Sequence, residues 1–263
     1  MSGLYIIVFM TRIRRKCVGG IVYHGMNRAN ARQRIFKKRG DFEAFEKVLA
    51  EALERTPCRL LAYCIMSNHW HLLLWPHEDG DLSEFMRWLT VTHVRRWHTW
   101  HGTVGIGHVY QGRFKSFPVQ TNGHYLTVLR YIESNPMRAG IVERSQDWEW
   151  SSLAIRNGAD KGQLKLARSP VKISDNWGEL VNLMPNEADI VKLNNAVRRG
   201  CPYGSGEWVT KTAKEQGLEV TLKPLGRPRI DPNEKVKGRK SEGKIMRAGG
   251  RPKTSTINGT RSL

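Results

Sequence analysis

Apolar positions recur along the chain in blocks of two different periods. A strand is predicted over residues 20–27, where Ile21, Val22 and Tyr23 follow a Gly-Gly pair. After a basic loop, Asp41 is the expected N-cap of a helix. Its apolar residues Phe42, Phe45, Val48, Leu49, Ala52 and Leu53 fall on one face, and Thr56-Pro57 ends it. Two apolar stretches, 59–66 and 70–75, flank the turn dipeptide Ser67-Asn68 and predict a hairpin. A second helix is expected over 82–100, opened by Asp81, with Leu82, Phe85, Met86, Leu89 and His93 on one face. Residues 102–112 are Gly-rich and predict a loop, 114–119 a short strand, and 123–134 a third helix that Pro136 stops or kinks.

The order is β-α-β-β-α-β-α. Its first six elements predict an α+β domain, a ferredoxin-like βαββαβ antiparallel sheet with helices on one face. Residues 147–153 are expected to pack back on that core. Helices are expected over 188–198 and 207–217, and from Pro224 onward the Gly/Pro/Lys/Arg-rich chain is expected to be disordered. The resulting division is a basic segment 1–18, a catalytic domain 19–155, a helical region 156–223 and a basic tail 224–263.

Charge narrows the partners. The chain has 43 Lys+Arg against 24 Asp+Glu, a net +19, concentrated at its two ends. A polyanion is the expected partner, nucleic acid first. Four cysteines without a CxxC pair disfavour a disulfide scaffold or a four-Cys zinc site and suit a reducing cytosol. No apolar run approaches ~18 residues, so no membrane partner is expected. Residues 4–10 are apolar, but their positive charges follow rather than precede them, the wrong order for a signal peptide.

The first chemical signal is His69-Trp70-His71 on the third strand. Side chains alternate along a strand, so the two imidazoles share a face and are spaced to share a metal ion. Taken alone, the pair is more readily read as two strand histidines that only hydrogen-bond. His98 and His101, at the end of the second helix, are expected to be solvated or to face phosphate. On the third helix, Tyr125, Val128, Leu129 and Ile132 make the buried stripe. Tyr131 lies at the stripe's edge, with Asn135 one turn later on the same side and Glu133 roughly opposite. Asn135 rather than Glu133 is thus placed to join the histidines. Tyr131, on the helix alone, reads as a packing tyrosine with a wet hydroxyl.

Together the pieces are more specific. The stretch Ala62-Tyr63-Cys64-Ile65-Met66-Ser67-Asn68-His69-Trp70-His71 resembles the HUH motif of single-strand transposases, with Trp70 at the bulky middle position. Arg130-Tyr131-Ile132-Glu133-Ser134-Asn135-Pro136 resembles the tyrosine motif of the REP-associated tyrosine transposase family. Tyr23-His24-Gly25-Met26-Asn27-Arg28, Gln111-Gly112-Arg113-Phe114-Lys115-Ser116, Trp150-Ser151-Ser152 and Tyr203-Gly204-Ser205-Gly206 also match, and the similarity spans about residues 17–229. Tyr110 stands where another aromatic, often Trp, is usual.

The resemblance implies an HUH-like fold and a bacterial or archaeal enzyme, cytoplasmic and associated with the nucleoid. Such an enzyme cleaves and rejoins single-stranded DNA at repeats that fold into hairpins. It implies His69, His71 and Asn135 as ligands of a divalent ion, Mg²⁺ or Mn²⁺, and Tyr131 as the nucleophile that forms a 5′-phosphotyrosine. Arg113, Lys115, Arg130 and Arg138 are candidate phosphate contacts, and Trp70 and Trp75 candidate base-stacking rings. In the tail, Arg227 and Arg229 belong to a Gly-Arg-Pro-Arg segment similar to minor-groove AT-hook cores, or act as plain electrostatic attraction. Monomer and homodimer both fit. The competing reading is a catalytically silent relative that binds or represses repeat hairpins.

Overall fold

Four strands, β1 (Val22–Arg28), β2 (Cys58–Met66), β3 (His69–Pro76) and β4 (Lys115–Val119), form one antiparallel sheet in the order β2-β3-β1-β4. The computed structural model describes residues 16–183 and 186–224. The chain divides into two units, Met1–Lys223 and Pro224–Leu263. Arg227 and Arg229, and the expected disorder of the tail, lie outside the described residues. Among those residues no helix is long and apolar enough to cross a membrane.

The strand order is that of the expected βαββαβ fold. Helices α1 (Arg39–Arg55) and α2 (Asp81–His101) cover one face and pack on Tyr23, Tyr63, Trp70, Leu72 and Leu74. Gly25 lies on this face, where a Cβ would come 3.2 Å from the Met86 methyl. The opposite face is covered too. Helix α3 (Gly123–Glu133) and, further on, α6 (Trp177–Asn182) and α7 (Glu187–Arg199) pack over Val22, Ala62, Leu73, Phe117 and Val119. The helices-on-one-face pattern therefore describes the first six elements, and the later helices close the second face. Between these, α4 (Asn135–Arg138) and α5 (Ser152–Arg156) are short, and α8 (Gly206–Gln216) follows α7.

Both sheet edges are covered, which removes the hazard of unpaired strand edges. Residues 147–153 do pack back: Ile65 N–H donates to the Trp150 carbonyl at 2.9 Å, and Cys64 bridges to Ser151. On the other edge, Tyr203 N–H donates to the Pro118 carbonyl at 2.9 Å. Pro118 has no N–H to give, which suits an edge strand.

One local expectation needs correction. Helix α1 begins at Arg39, so Asp41 is not its N-cap. Asp41 sits in the first turn, and its carboxylate accepts from the Lys37 and Lys38 N–H groups at 2.8 and 2.9 Å. The carboxylate satisfies the helix entrance from inside rather than from the cap.

Beneath α1 and α2 a buried polar chain holds the core. Trp70 Nε1–H donates to the Tyr110 hydroxyl at 2.9 Å, and that hydroxyl lies 2.7 Å from His93 Nδ1. Indole only donates, so the phenol proton is available to His93, which is then bare at Nδ1 and neutral. Burial pushes the His93 imidazole down to about 3 from its ordinary 6.5. Below pH ~6.5 the unfolded chain takes up a proton that the folded chain refuses, so stability falls with falling pH until about 3. We expect a loss of up to ~1.4 kcal/mol per pH unit from this group. Urea unfolding between pH 7 and 4 should show a shallower decline in His93→Gln; an equal slope would assign the acid loss to other groups.

Candidate functional site

The pairing of β1 with β3 positions the histidines. Met26 faces His71 and Arg28 faces His69 across the ladder, so both imidazoles stand on the α3 face of the sheet. Their ring centroids are 5.1 Å apart and nearly perpendicular, at 81°. Each ring has its Nδ1 engaged. His69 Nδ1 is 2.6 Å from Asn68 Oδ1, and Asn68 Nδ2 donates to the Arg32 carbonyl at 3.2 Å, which fixes the amide orientation. An amide oxygen only accepts, so His69 carries its proton on Nδ1 and offers Nε2 as a bare lone pair. His71 Nδ1 lies 2.8 Å from Nε2 of His24, a fully buried histidine on β1.

Burial keeps these imidazoles neutral. His69 is pushed down to about 4 and His24 to about 3, and His71 is held well below 6.5 by burial and by the neighbouring histidines and arginines. A metal ligand must be a neutral imidazole, and the site meets that condition at neutral pH.

Helix α3 brings Tyr131 to the same place. Its ring centroid is 5.9 Å from that of His71, edge to face. The guanidinium of Arg138 lies 4.2 Å over the tyrosine ring and donates to the Tyr131 carbonyl at 3.2 Å. The phenol donates to Asn194 Oδ1 of α7 at 3.2 Å. Asn135 opens α4, is buried, and its Nδ2 has no hydrogen-bond partner among the described residues. Arg138 donates weakly to Asn135 Oδ1 at 3.5 Å.

These groups line one cleft of about 1010 Å³. His69, His71, Tyr131, Asn135, Arg113, Lys115 and Arg138 all border it, together with Arg28, Arg32, Asn194 and Arg198. Among the described residues no three His, Cys, Asp or Glu side chains converge on a metal position. A metal would need the two imidazoles and an amide oxygen. The donor set fits: two neutral nitrogens, with a buried carboxamide bordering the same cleft.

Other candidates fall elsewhere. Arg130 does not line the cleft; it is half-buried and its guanidinium donates to the Leu183 carbonyl, so it is corrected from a phosphate contact to a tie between α3 and the end of α6. Trp70 is fully buried under α1 and α2, on the face opposite the histidines. Trp75 carries the Arg59 guanidinium 3.6 Å over its ring. The buried Trp70 ring offers no face to a base. His98 is buried and bonded to Thr103 at 2.8 Å, while His101 stacks on Trp97 at 4.2 Å and reaches Asp41. Neither is solvated in the manner expected.

Residues 17–135 match the family model described as "Transposase IS200 like". This part of the chain belongs to the IS200-like transposase family. A REP-associated tyrosine transposase of Escherichia coli (strain K12) is 22% identical over 149 residues, which is 55% of this chain and 83% of that protein. A solved REP-associated tyrosine transposase bound to a REP hairpin is similar at 20% identity and a TM-score of 0.46, covering 63% of this chain and 100% of that one. A putative transposase from Deinococcus radiodurans R1 is similar at 17% identity and a TM-score of 0.34, covering 46% and 92%.

Asn194 and Arg198, which border the cleft from beyond the matched residues, and Asn68, which orients His69, carried no expectation as site residues. Asn194 and Arg198 lie one turn apart on α7, and the contact from Asn194 to Tyr131 spans 63 residues, so no local pattern marks it. Asn68 was read only as a turn residue. Its position next to His69 was the available signal.

Helix α3 is held in register from its other side. Glu133 is fully buried, and its carboxylate accepts from Ser152 Oγ at 2.5 Å, Arg156 Nε at 2.9 Å and Trp177 Nε1 at 2.6 Å. Glu133→Ala leaves a nearly buried guanidinium and two polar groups without their acceptor. We expect a loss of ~3–5 kcal/mol in urea unfolding. A loss below about 1 kcal/mol would show that the network is dispensable.

Proposed function

We propose that this chain is a metal-dependent DNA strand transferase. It cleaves and rejoins single-stranded DNA at hairpin-forming repeats through a 5′-phosphotyrosine on Tyr131. The observation that carries this reading is the shared cleft, where a tyrosine, two neutral imidazoles and an amide meet a ring of basic side chains. The family of residues 17–135 and the name of the E. coli relative agree with it. Such an enzyme works beside the chromosome, in the cytoplasm of a bacterium or archaeon.

In this mechanism Arg113, Lys115 and Arg138 bind backbone phosphates and draw a strand across the cleft. Tyr131 Oη forms a bond to the scissile phosphorus, and the bond from phosphorus to the 3′ oxygen breaks. The 3′ oxygen leaves with a proton as a hydroxyl, and the 5′ end stays on the enzyme. Rejoining reverses these bonds: a 3′-hydroxyl attacks the phosphotyrosine and frees the phenol. The ester keeps the bond energy, so no nucleotide cofactor is needed. A divalent ion on His69, His71 and Asn135, Mg²⁺ or Mn²⁺, would polarise the scissile phosphate. Arg138, stacked on the tyrosine ring, holds the nucleophile's approach.

Tyr131→Phe removes one hydrogen bond, worth ~0.5–1.5 kcal/mol, and should fold. It should bind hairpin DNA yet form no adduct. Wild type with Mn²⁺ should give a protein–DNA species that survives denaturation and maps to the Tyr131 peptide. His71→Ala should bind DNA but not cleave. Adduct formation by Tyr131→Phe, or full cleavage by His71→Ala in excess chelator, would overturn the assignment.

The corrected basic set makes a separate prediction. For single strands each phosphate contact adds ~0.7 to the slope of log affinity against log salt. Lys115→Ala should reduce that slope by about 0.7, while Arg130→Ala should leave it unchanged. Equal effects of the two would show that the cleft does not define the DNA path.

A further inference from the structure

His69 and His71 each need one nitrogen turned to the cleft as a bare lone pair. For His69 the requirement is met by Asn68, whose oxygen accepts from Nδ1. For His71 the corresponding neighbour is not a carbonyl, amide or carboxylate but a second imidazole, that of His24. The two nitrogens are 2.8 Å apart, and the pair is buried. A neutral imidazole can give or accept, so two proton arrangements satisfy this bond. In one, His71 Nδ1–H donates to His24 Nε2, and His71 Nε2 is bare. In the other, His24 Nε2–H donates to His71 Nδ1, and His71 presents an N–H to the cleft, where it can bind no metal.

We propose that His24 is a positioning residue that accepts from His71 Nδ1–H and so holds His71 in the metal-binding tautomer before any ion arrives. The reason lies in the charges that face the pair. Arg28, Arg113, Lys115 and Arg138 border the same cleft that His71 lines. The negative end of an imidazole, its lone pair, is favoured toward those cations, and an N–H is not. On the other side His24 is walled by Phe117, stacked at 4.7 Å, and its own Nδ1 has no partner among the described residues. The proton of His24 then sits on that Nδ1. A buried N–H without an acceptor is costly, and its retention here is the cost of the tautomer at His71. Tyr131 lies at the edge of the same aromatic group, 6.5 Å from the His24 ring. The same bond therefore also sets the orientation of the ring nearest the nucleophile.

This inference rests on the proposed metal site, and the test separates the two. In the metal-free wild type, ¹⁵N–¹H correlation through the imidazole rings should show His71 as Nδ1–H with bare Nε2, and His24 as Nδ1–H with bare Nε2. His71 protonated on Nε2 would overturn the inference whatever the variants do. Mn²⁺ binding is then measured by calorimetry on the full chain. His24→Leu, which removes the acceptor, should weaken Mn²⁺ binding about 10–100-fold. His24→Gln, whose Oε1 can reach the position of Nε2 and only accepts, should recover most of that loss. Equal binding by wild type and His24→Leu would overturn the positioning role. Failure of wild type itself to bind Mn²⁺ would sink the metal reading and leave the tautomer result standing on its own.

Discussion

The site depends on the register of β1 against β3. These are the two central strands, and side chains alternate along each. With Met26 opposite His71 and His24 opposite Leu73, the His24 ring lies diagonally beside His71 on one face, and Trp70 and Leu72 go to the other. A slip of one residue would send both cleft histidines beneath α1 and α2 and bring Trp70 to the cleft. The hairpin turn at Ser67-Asn68 guards against such a slip. Met66 pairs with His69 across a two-residue turn, and the Ser67 carbonyl accepts from both Ile35 and Phe36 N–H groups. Asn68 thus sets the turn and orients His69 at the same time.

The two faces of the sheet carry different duties. Under α1 and α2 the core is aromatic and nearly complete, and its polar groups, Trp70, Tyr110 and His93, satisfy one another. On the α3 face the same sheet holds histidines that the proposed metal role requires to be neutral. Removing imidazoles from water does this directly, since burial disfavours the charged form. The strands and α3 are also held by the opposite core and by the Glu133 network. Helix α3 touches both requirements. Glu133 points into the protein toward Ser152, Arg156 and Trp177, and Tyr131, two residues earlier, points to the cleft.

Much of this was legible in the sequence, for reasons that are local. The period of Tyr125, Val128, Leu129 and Ile132 placed Tyr131 at the edge of the stripe and Glu133 away from it. The hairpin, the strand histidines and the βαββαβ order followed from alternation and turn chemistry. Alternation also contained the correction at Trp70, because a residue between two cleft histidines must face away from the cleft. Arg130 could not be told from Arg138 by composition. Arg138 turns back along its own chain to Tyr131, whereas Arg130 is captured by a carbonyl 53 residues away. Asp41 and the N-cap differ by a turn of helix, since a carboxylate can satisfy the first N–H groups from either position. The bond from Asn194 to Tyr131 and that from His24 to His71 are long-range, and no local period announces them.

The contacts of Tyr131 are unequal, and the inequality suits the nucleophilic role proposed for it. Its ring is held by the Arg138 guanidinium at 4.2 Å and by the edge of His71 at 5.9 Å, contacts that do not involve the hydroxyl. Among the described residues the hydroxyl itself has one partner, Asn194, which is exposed on α7. For Oη to reach a phosphorus atom, only that neutral hydrogen bond must be exchanged, at a net cost of ~0.5–1.5 kcal/mol. The ring contacts can stay. A stronger acceptor in place of Asn194, such as a buried carboxylate, would hold the phenol more tightly and raise the cost of releasing it. An apolar residue would leave the hydroxyl to water and to whatever rotamer the ring allows. An amide on a surface helix lies between these, and it ties the orientation of the Tyr131 hydroxyl to the docking of α7 on the sheet.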